Sequence, residues 1–151
     1  MGEAKCNYTI ITYCTMMTDR QILIIKNSWS AVMVQSQEAG ELFYQKLFEE
    51  APFLHTFFRN DIELQARKFT SMMTLLVRSI QYSDKVTHEL EELAKRHIRY
   101  GARPEHYAIV GDSLVWMMKQ RLEDRWDMET EQAWKDMYQL ITRTMMSVYN
   151  A

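Results

Sequence analysis

The chain has 151 residues, a net charge of −2 and 47% hydrophobic residues. A domain of that length buries roughly 70% of its unfolded surface, so it needs neither disulfides nor a structural metal to hold a core. Acids and bases are interspersed, which excludes the basic footprint of a nucleic-acid partner, and no apolar run approaches the ~20 residues of a membrane span.

Only four glycines and two prolines are present, and β-branched runs with period two are absent after residue 20. That pattern predicts an all-α domain. Cys6 and Cys14 are the two cysteines, and neither joins a CxxC or Cys/His spacing. They read as reduced thiols of a cytoplasmic protein. Residues 1–18 stand apart as an N-terminal extension, with an uncharged, β-prone stretch from Tyr8 to Tyr13. Residues 19–151 read as one domain.

Thr18 and Gln21 form a capping box, so a first helix is predicted from Asp19 to about Gln35. A second covers Gln37 to Ala51, with Gly40, Phe43, Tyr44, Leu47, Phe48 and Ala51 on one face. Pro52 breaks it and opens a short helical turn to Phe57 or Phe58. Asn60 and Asp61 start a third helix, predicted to reach Tyr82, whose apolar face carries Phe69, Met72, Met73, Leu76 and Ile80. Ser83 and Asp84 start a fourth, with Leu90, Leu93, Ala94 and His97 at helical spacing; Gly101 and Pro104 stop it just past the imidazole. Pro104 suits the first turn of a fifth helix, which buries Ile109, Val110, Leu114, Met117 and Met118. Gly111 inside it costs ~1 kcal/mol, so a close helix crossing is expected there. A last helix, from about Glu129 to Tyr149, buries Trp134, Met137, Tyr138, Ile141, Met145 and Val148.

Tyr44, Gln65 and His97 interrupt the core-facing stripes of three different helices. A buried polar group without a partner costs ~1–3 kcal/mol. Three would consume much of a net stability of ~5–15 kcal/mol, so each needs a partner. Either each bonds separately to backbone, or the three share a pocket. In a shared pocket Tyr44 and Gln65 supply donors and His97 a neutral nitrogen for a metal. His88 falls on the opposite, solvated face of its helix, and His55 sits in the turn after Pro52. His106 opens a helix and is the second candidate ligand. No GxSxG, HExxH or phosphate-cradling glycine loop occurs, and Glu89, Glu91 and Glu92 read as a solvated face.

Four stretches of the chain resemble one family, the globins: bacterial single-domain globins and the haem domain of flavohaemoglobins above all. They are Lys26-Asn27-Ser28-Trp29; Leu42-Phe43-Tyr44 with Leu47-Phe48, Pro52 and Phe58; and Gln65-Ala66-Arg67-Lys68-Phe69. The fourth is Arg96-His97 with Gly101, Pro104-Glu105-His106-Tyr107 and Ile109-Val110-Gly111. The C-terminal half is also similar to neuroglobin. The interval from Gln65 to His97 is that family's interval between distal and proximal residues.

The resemblance implies a globin fold with a short or absent fourth helix and haem b (iron protoporphyrin IX) between the helices of Gln65 and His97. His97 would ligate the iron, and Tyr44 and Gln65 would form the distal pair. Phe58, Lys68, Phe69, Met72, Leu93, Ala102, Tyr107 and Val110 would surround the cofactor. Lys68 is placed for a propionate, with Arg99 or Arg103 serving from the other side. The implied activity is reversible binding of oxygen, nitric oxide, carbon monoxide or small anions, for transport, storage or scavenging, by a monomer or homo-oligomer with no nucleic-acid or membrane partner. Nitric oxide dioxygenation with an external reductase is the alternative, and gas sensing a further one. The sequence departs from flavohaemoglobins twice. Tyr149 stands where they carry a glutamate near the proximal histidine, and the resemblance implies that without that carboxylate His97 would be a weaker electron donor. The loop from Phe58 to Gln65 is also shorter.

Overall fold

Local signals in the sequence set where the helices begin. In the computed structural model the described residues are 17–59 and 61–150; the Tyr8–Tyr13 stretch and both cysteines lie outside them. Helix α1 (Asp19–Met33) starts at the expected capping box. Thr18 Oγ1 accepts from the Gln21 amide at 3.1 Å, and Gln21 Oε1 accepts from the Thr18 amide at 3.0 Å. Helix α2 spans Ser36–Glu50, and Pro52 then opens a 3₁₀ turn, Pro52–Phe57. The described residues from Phe58 to Asp61 hold no helix, in keeping with a short or absent fourth helix of the fold.

Asp61 caps α3 (Ile62–Ser79) by accepting from the Leu64 amide at 2.8 Å. Helix α4 runs over Ser83–Arg99, two residues past His97, and closes at Tyr100 and Gly101, the latter at φ 91°. Helix α5 spans His106–Leu122, and α6 spans Met128–Tyr149 behind an Asp127 cap. Pro104 does not enter α5. A turn over Arg103–His106 comes first, in which the His106 amide donates to the Arg103 carbonyl and the Arg103 amide donates to His106 Nδ1.

The core joins α1 to α6 through Ile25, Phe43, Leu47, Leu76, Leu90, Ala94, Leu114, Met117 and Trp134. Trp29 and Trp134 lie 5.8 Å apart. Each indole N–H finds a hydroxyl, on Thr74 at 3.0 Å and on Ser28 at 2.9 Å respectively, so neither is an orphan donor. Helix α3 rests mainly on α2, and α4 mainly on α6. Among the described residues no helix is long and apolar enough to cross a membrane.

Two glycines permit close crossings. The expected one is at Gly111, where a Cβ would overlap the Tyr138 ring. The other is at Gly40 on α2, where a Cβ would stand 2.8 Å from Ala66 Cβ and 2.9 Å from the Ala66 carbonyl oxygen on α3. Alanine raises helix propensity by ~1 kcal/mol, but the contact is with backbone and the two helices must separate. Gly40→Ala is therefore expected to destabilise the protein by about 1–3 kcal/mol in urea denaturation.

Candidate functional site

The crossing at Gly40 and Ala66 brings α2 and α3 near enough for Phe43 and Phe69 to stack face to face, 3.9 Å apart and 1° from parallel. Tyr44, the next residue on α2, is only 6% exposed. Its ring is set edge-on to Phe43, Phe58 and Phe69 at 5.0, 5.3 and 6.0 Å. Its hydroxyl has no hydrogen-bond partner among the described residues. Burial pushes its pKa well above the ordinary phenol value, so the group stays protonated and can donate. Gln65 lies one turn before Phe69 on α3, half-buried. Its side-chain amide likewise has no partner among the described residues.

His97 occupies the last turn of α4 and is half-buried. Its Nδ1 lies 2.9 Å from the Leu93 carbonyl oxygen. A carbonyl only accepts, so Nδ1 carries the proton and Nε2 keeps a lone pair. Burial holds the imidazole pKa below its ordinary value; the Leu93 bond pulls the other way, and the Arg96 charge adds to the lowering. A neutral ring with its second nitrogen anchored is the state a metal ligand requires.

A tyrosine network lies behind this histidine. The Tyr107 ring is 6.2 Å from the His97 ring. Tyr149 donates to the Ala102 carbonyl at 2.8 Å, which commits its one proton. Tyr107 is therefore the donor in its 3.2 Å bond to the Tyr149 hydroxyl. Tyr138 donates to the Tyr107 carbonyl. Burial, then the Tyr149 bond, raises the Tyr107 pKa.

The expected site residues thus fall into two groups. Tyr44, Phe58 and Phe69 touch, with Gln65 beside them; His97, Leu93, Ala102 and Tyr107 form the other group. No hydrogen bond or ring contact joins the two groups among the described residues. Met72 and Val110 are half-buried and pack against the core. Lys68, Arg99 and Arg103 are exposed. His88 is exposed as expected, and exposed His55 stacks on Phe48 at 4.4 Å. His106 lies between the rings of Phe53 and Phe57, and its Nδ1 is already an acceptor. A shallow hollow at Gln81, Tyr82, Asp84 and Lys85 lies at the α3–α4 corner, away from these residues.

Sequence reasoning missed the roles of Tyr138 and Tyr149 as hydrogen-bond donors. Tyr138 carried a signal, a hydroxyl on a core stripe that needs an acceptor. Among the described residues no group of three or more His, Cys, Asp or Glu side chains could hold a bare metal ion.

The profile of the family described as Globin matches residues 41–145. Flavohemoprotein B of Dictyostelium discoideum is 25% identical over 132 residues, 87% of this chain and 31% of its own length. This chain thus spans about a third of that relative. Neuroglobin-1 of Oncorhynchus mykiss is 25% identical over 144 residues, 85% of this chain and 90% of its own length. Among solved structures, a hexacoordinated heme protein from an anhydrobiotic tardigrade superposes with a TM-score of 0.81 at 19% identity, over 89% of this chain and 96% of that one.

The Tyr44 phenol has an ordinary pKa of 10.0, raised in the fold, so the unfolded chain loses that proton first. Stability from this group is full below about pH 10 and declines as pH rises above it. Tyr44→Phe is expected to flatten the alkaline loss of stability, measured by urea denaturation at about pH 8 and about pH 11.

Proposed function

This chain belongs to the globin family, and we propose that it binds haem b through His97 Nε2 and takes small diatomic ligands, oxygen first, beside Tyr44 and Gln65. The observation that carries this reading is the Nδ1–Leu93 bond, which leaves a neutral, half-buried imidazole with one free nitrogen. Haem, when bound, would supply an iron centre able to take a small diatomic ligand. The surrounding residues suit a flat, largely apolar group. Phe58, Phe69, Met72, Leu93 and Val110 are apolar, only half-buried, and packed on the edge of the core. Lys68 is exposed, so its ammonium can reach a carboxylate at the group's rim while its stem covers apolar surface. The chain has no CxxCH, which favours haem held without a covalent link. Residues 19–151 form the proposed globin unit, with 1–18 as an extension whose Met17 packs against the core.

On the distal side the work is electrostatic. A small ligand carrying partial negative charge there would need a hydrogen-bond donor and little water around it. Tyr44 is held protonated by burial, and its ring neighbours exclude solvent. Gln65 brings a second donor from α3. The same pair supports nitric oxide dioxygenation with electrons from a reductase as a second reading, since the relatives include flavohaemoproteins. Against it, the acceptor for His97 Nδ1 is a carbonyl and not a carboxylate, which gives a less electron-donating imidazole. Single-turnover mixing of the oxygenated protein with nitric oxide, followed by addition of a flavin reductase, separates the two: dioxygenation requires re-reduction and repeated turnover.

His97→Ala is expected to abolish stable haem binding, seen as loss of the Soret band after gel filtration; full occupancy in the variant would move the ligand elsewhere. Tyr44→Phe is expected to speed oxygen dissociation at least about tenfold, the worth of one hydrogen bond. An unchanged rate in stopped flow would remove Tyr44 from the distal role.

A further inference from the structure

Two corners of the molecule leave large side chains bare, and α5 runs from one to the other. At its start, the 3₁₀ turn and the α4–α5 loop make an aromatic corner. Phe53 and Phe57 flank His106 at 5.6 and 5.5 Å, and Phe57 lies over Gly101, the residue after Tyr100. Phe53 is nevertheless 53% exposed and Tyr100 72%. Arg59, Arg99 and Arg103, each within two residues of Phe57, Tyr100 or Gly101, are exposed and make no ion pair among the described residues. Glu105 is the one acid of that loop.

At the far end of α5 the charge is reversed. Glu123–Arg125 form one 3₁₀ turn, and Asp127 then caps α6 by accepting from the Thr130 amide at 2.8 Å. Met128 opens that helix and is 89% exposed, the barest large apolar side chain among the described residues. Glu123, Asp124 and Asp127 precede it with Arg125 as the one base between them, while Glu129 is already paired with Arg20. The 17 residues of α5 hold the two corners about 25 Å apart, so one chain cannot lay Met128 on its own aromatic corner.

We propose that the aromatic corner is a docking site for a second copy of this chain, which seats Met128 against Phe53 and Tyr100 and sets its acidic corner against the three arginines. A thioether packs well on aromatic rings, and exposed rings with arginine beside them are the anchors that protein interfaces use. The charges on the two corners are complementary, on a chain whose net charge is only −2. Both surfaces are already rigid, one through the Asp127 cap and the other through the Arg103–His106 bond, so docking orders little. Because two different patches meet, the contact is head to tail. None of this depends on His97 or on haem.

Sedimentation velocity on the full-length chain, from about 10 µM to about 1 mM, reads the association. The average mass is expected to climb above the 18.1 kDa of one chain and to fall back as salt rises from about 0.01 M to about 1 M. Met128→Ser and Phe53→Ser each weaken association at least about tenfold. Both positions are exposed, and unchanged thermal unfolding confirms that the variants are folded. Mixed in equal amounts, the two variants form a heterodimer and nothing larger, since each such pair holds one intact Phe53 corner and one intact Met128 corner. A wild-type chain that stays monomeric at about 1 mM in low salt overturns the proposal. So does association that both variants leave unchanged, or a mixture that stays monomeric. Binding of anionic vesicles by a chain that remains monomeric gives the corner to a lipid surface and overturns it equally.

Discussion

Two helices approach to backbone contact only where side chains are small, and the Gly40–Ala66 crossing is the contact on which the proposed distal side depends. It lets Phe43 and Phe69 stack at 3.9 Å, and that stack turns Tyr44 edge-on into a ring of aromatic neighbours. Ring contacts of this kind are worth about 0.5–1.5 kcal/mol each, enough to fix the phenol without a hydrogen bond to its hydroxyl. The Tyr44 hydroxyl makes no hydrogen bond to the described residues, as its proposed role of donor to a ligand requires.

The proposed proximal side is built on a different principle. His97 and the turn after it are held by hydrogen bonds to backbone carbonyls, from Nδ1 to Leu93 and from Tyr149 to Ala102. Rings hold the proposed distal donor; directed bonds hold the proposed proximal nitrogen. The difference suits the two tasks. A donor can serve over a range of angles, whereas a metal–imidazole bond needs the nitrogen at a set position and orientation.

The two sides also hang on separate supports, since α3 rests on α2 and α4 rests on α6. Their spacing is governed by the body of the molecule, by the direct contact of α3 with α4, and by the contact of the 3₁₀ turn with the α4–α5 loop. There Phe57 lies over Gly101 and both Phe53 and Phe57 flank His106. That arrangement also occupies the histidine that competed with His97 as a candidate ligand.

Much of this was legible in the chain itself. The Thr18–Gln21 box, the helix starts after Asp61 and Pro52, the apolar stripes and the small residue at Gly111 all act within a few residues or along one face, and each appears where local chemistry places it. The same periodicity singled out Tyr44, Gln65 and His97, because a polar side chain on an apolar stripe is visible without knowing what it faces. Tertiary structure alone decided which acceptor His97 uses, that Pro104 stays outside α5, that Gly40 meets Ala66, and that Tyr149 reaches Ala102. Helical spacing states which face of an element is buried but is blind to the partner across from it. A hydrogen bond between residues far apart in the chain depends on how whole helices are set against one another.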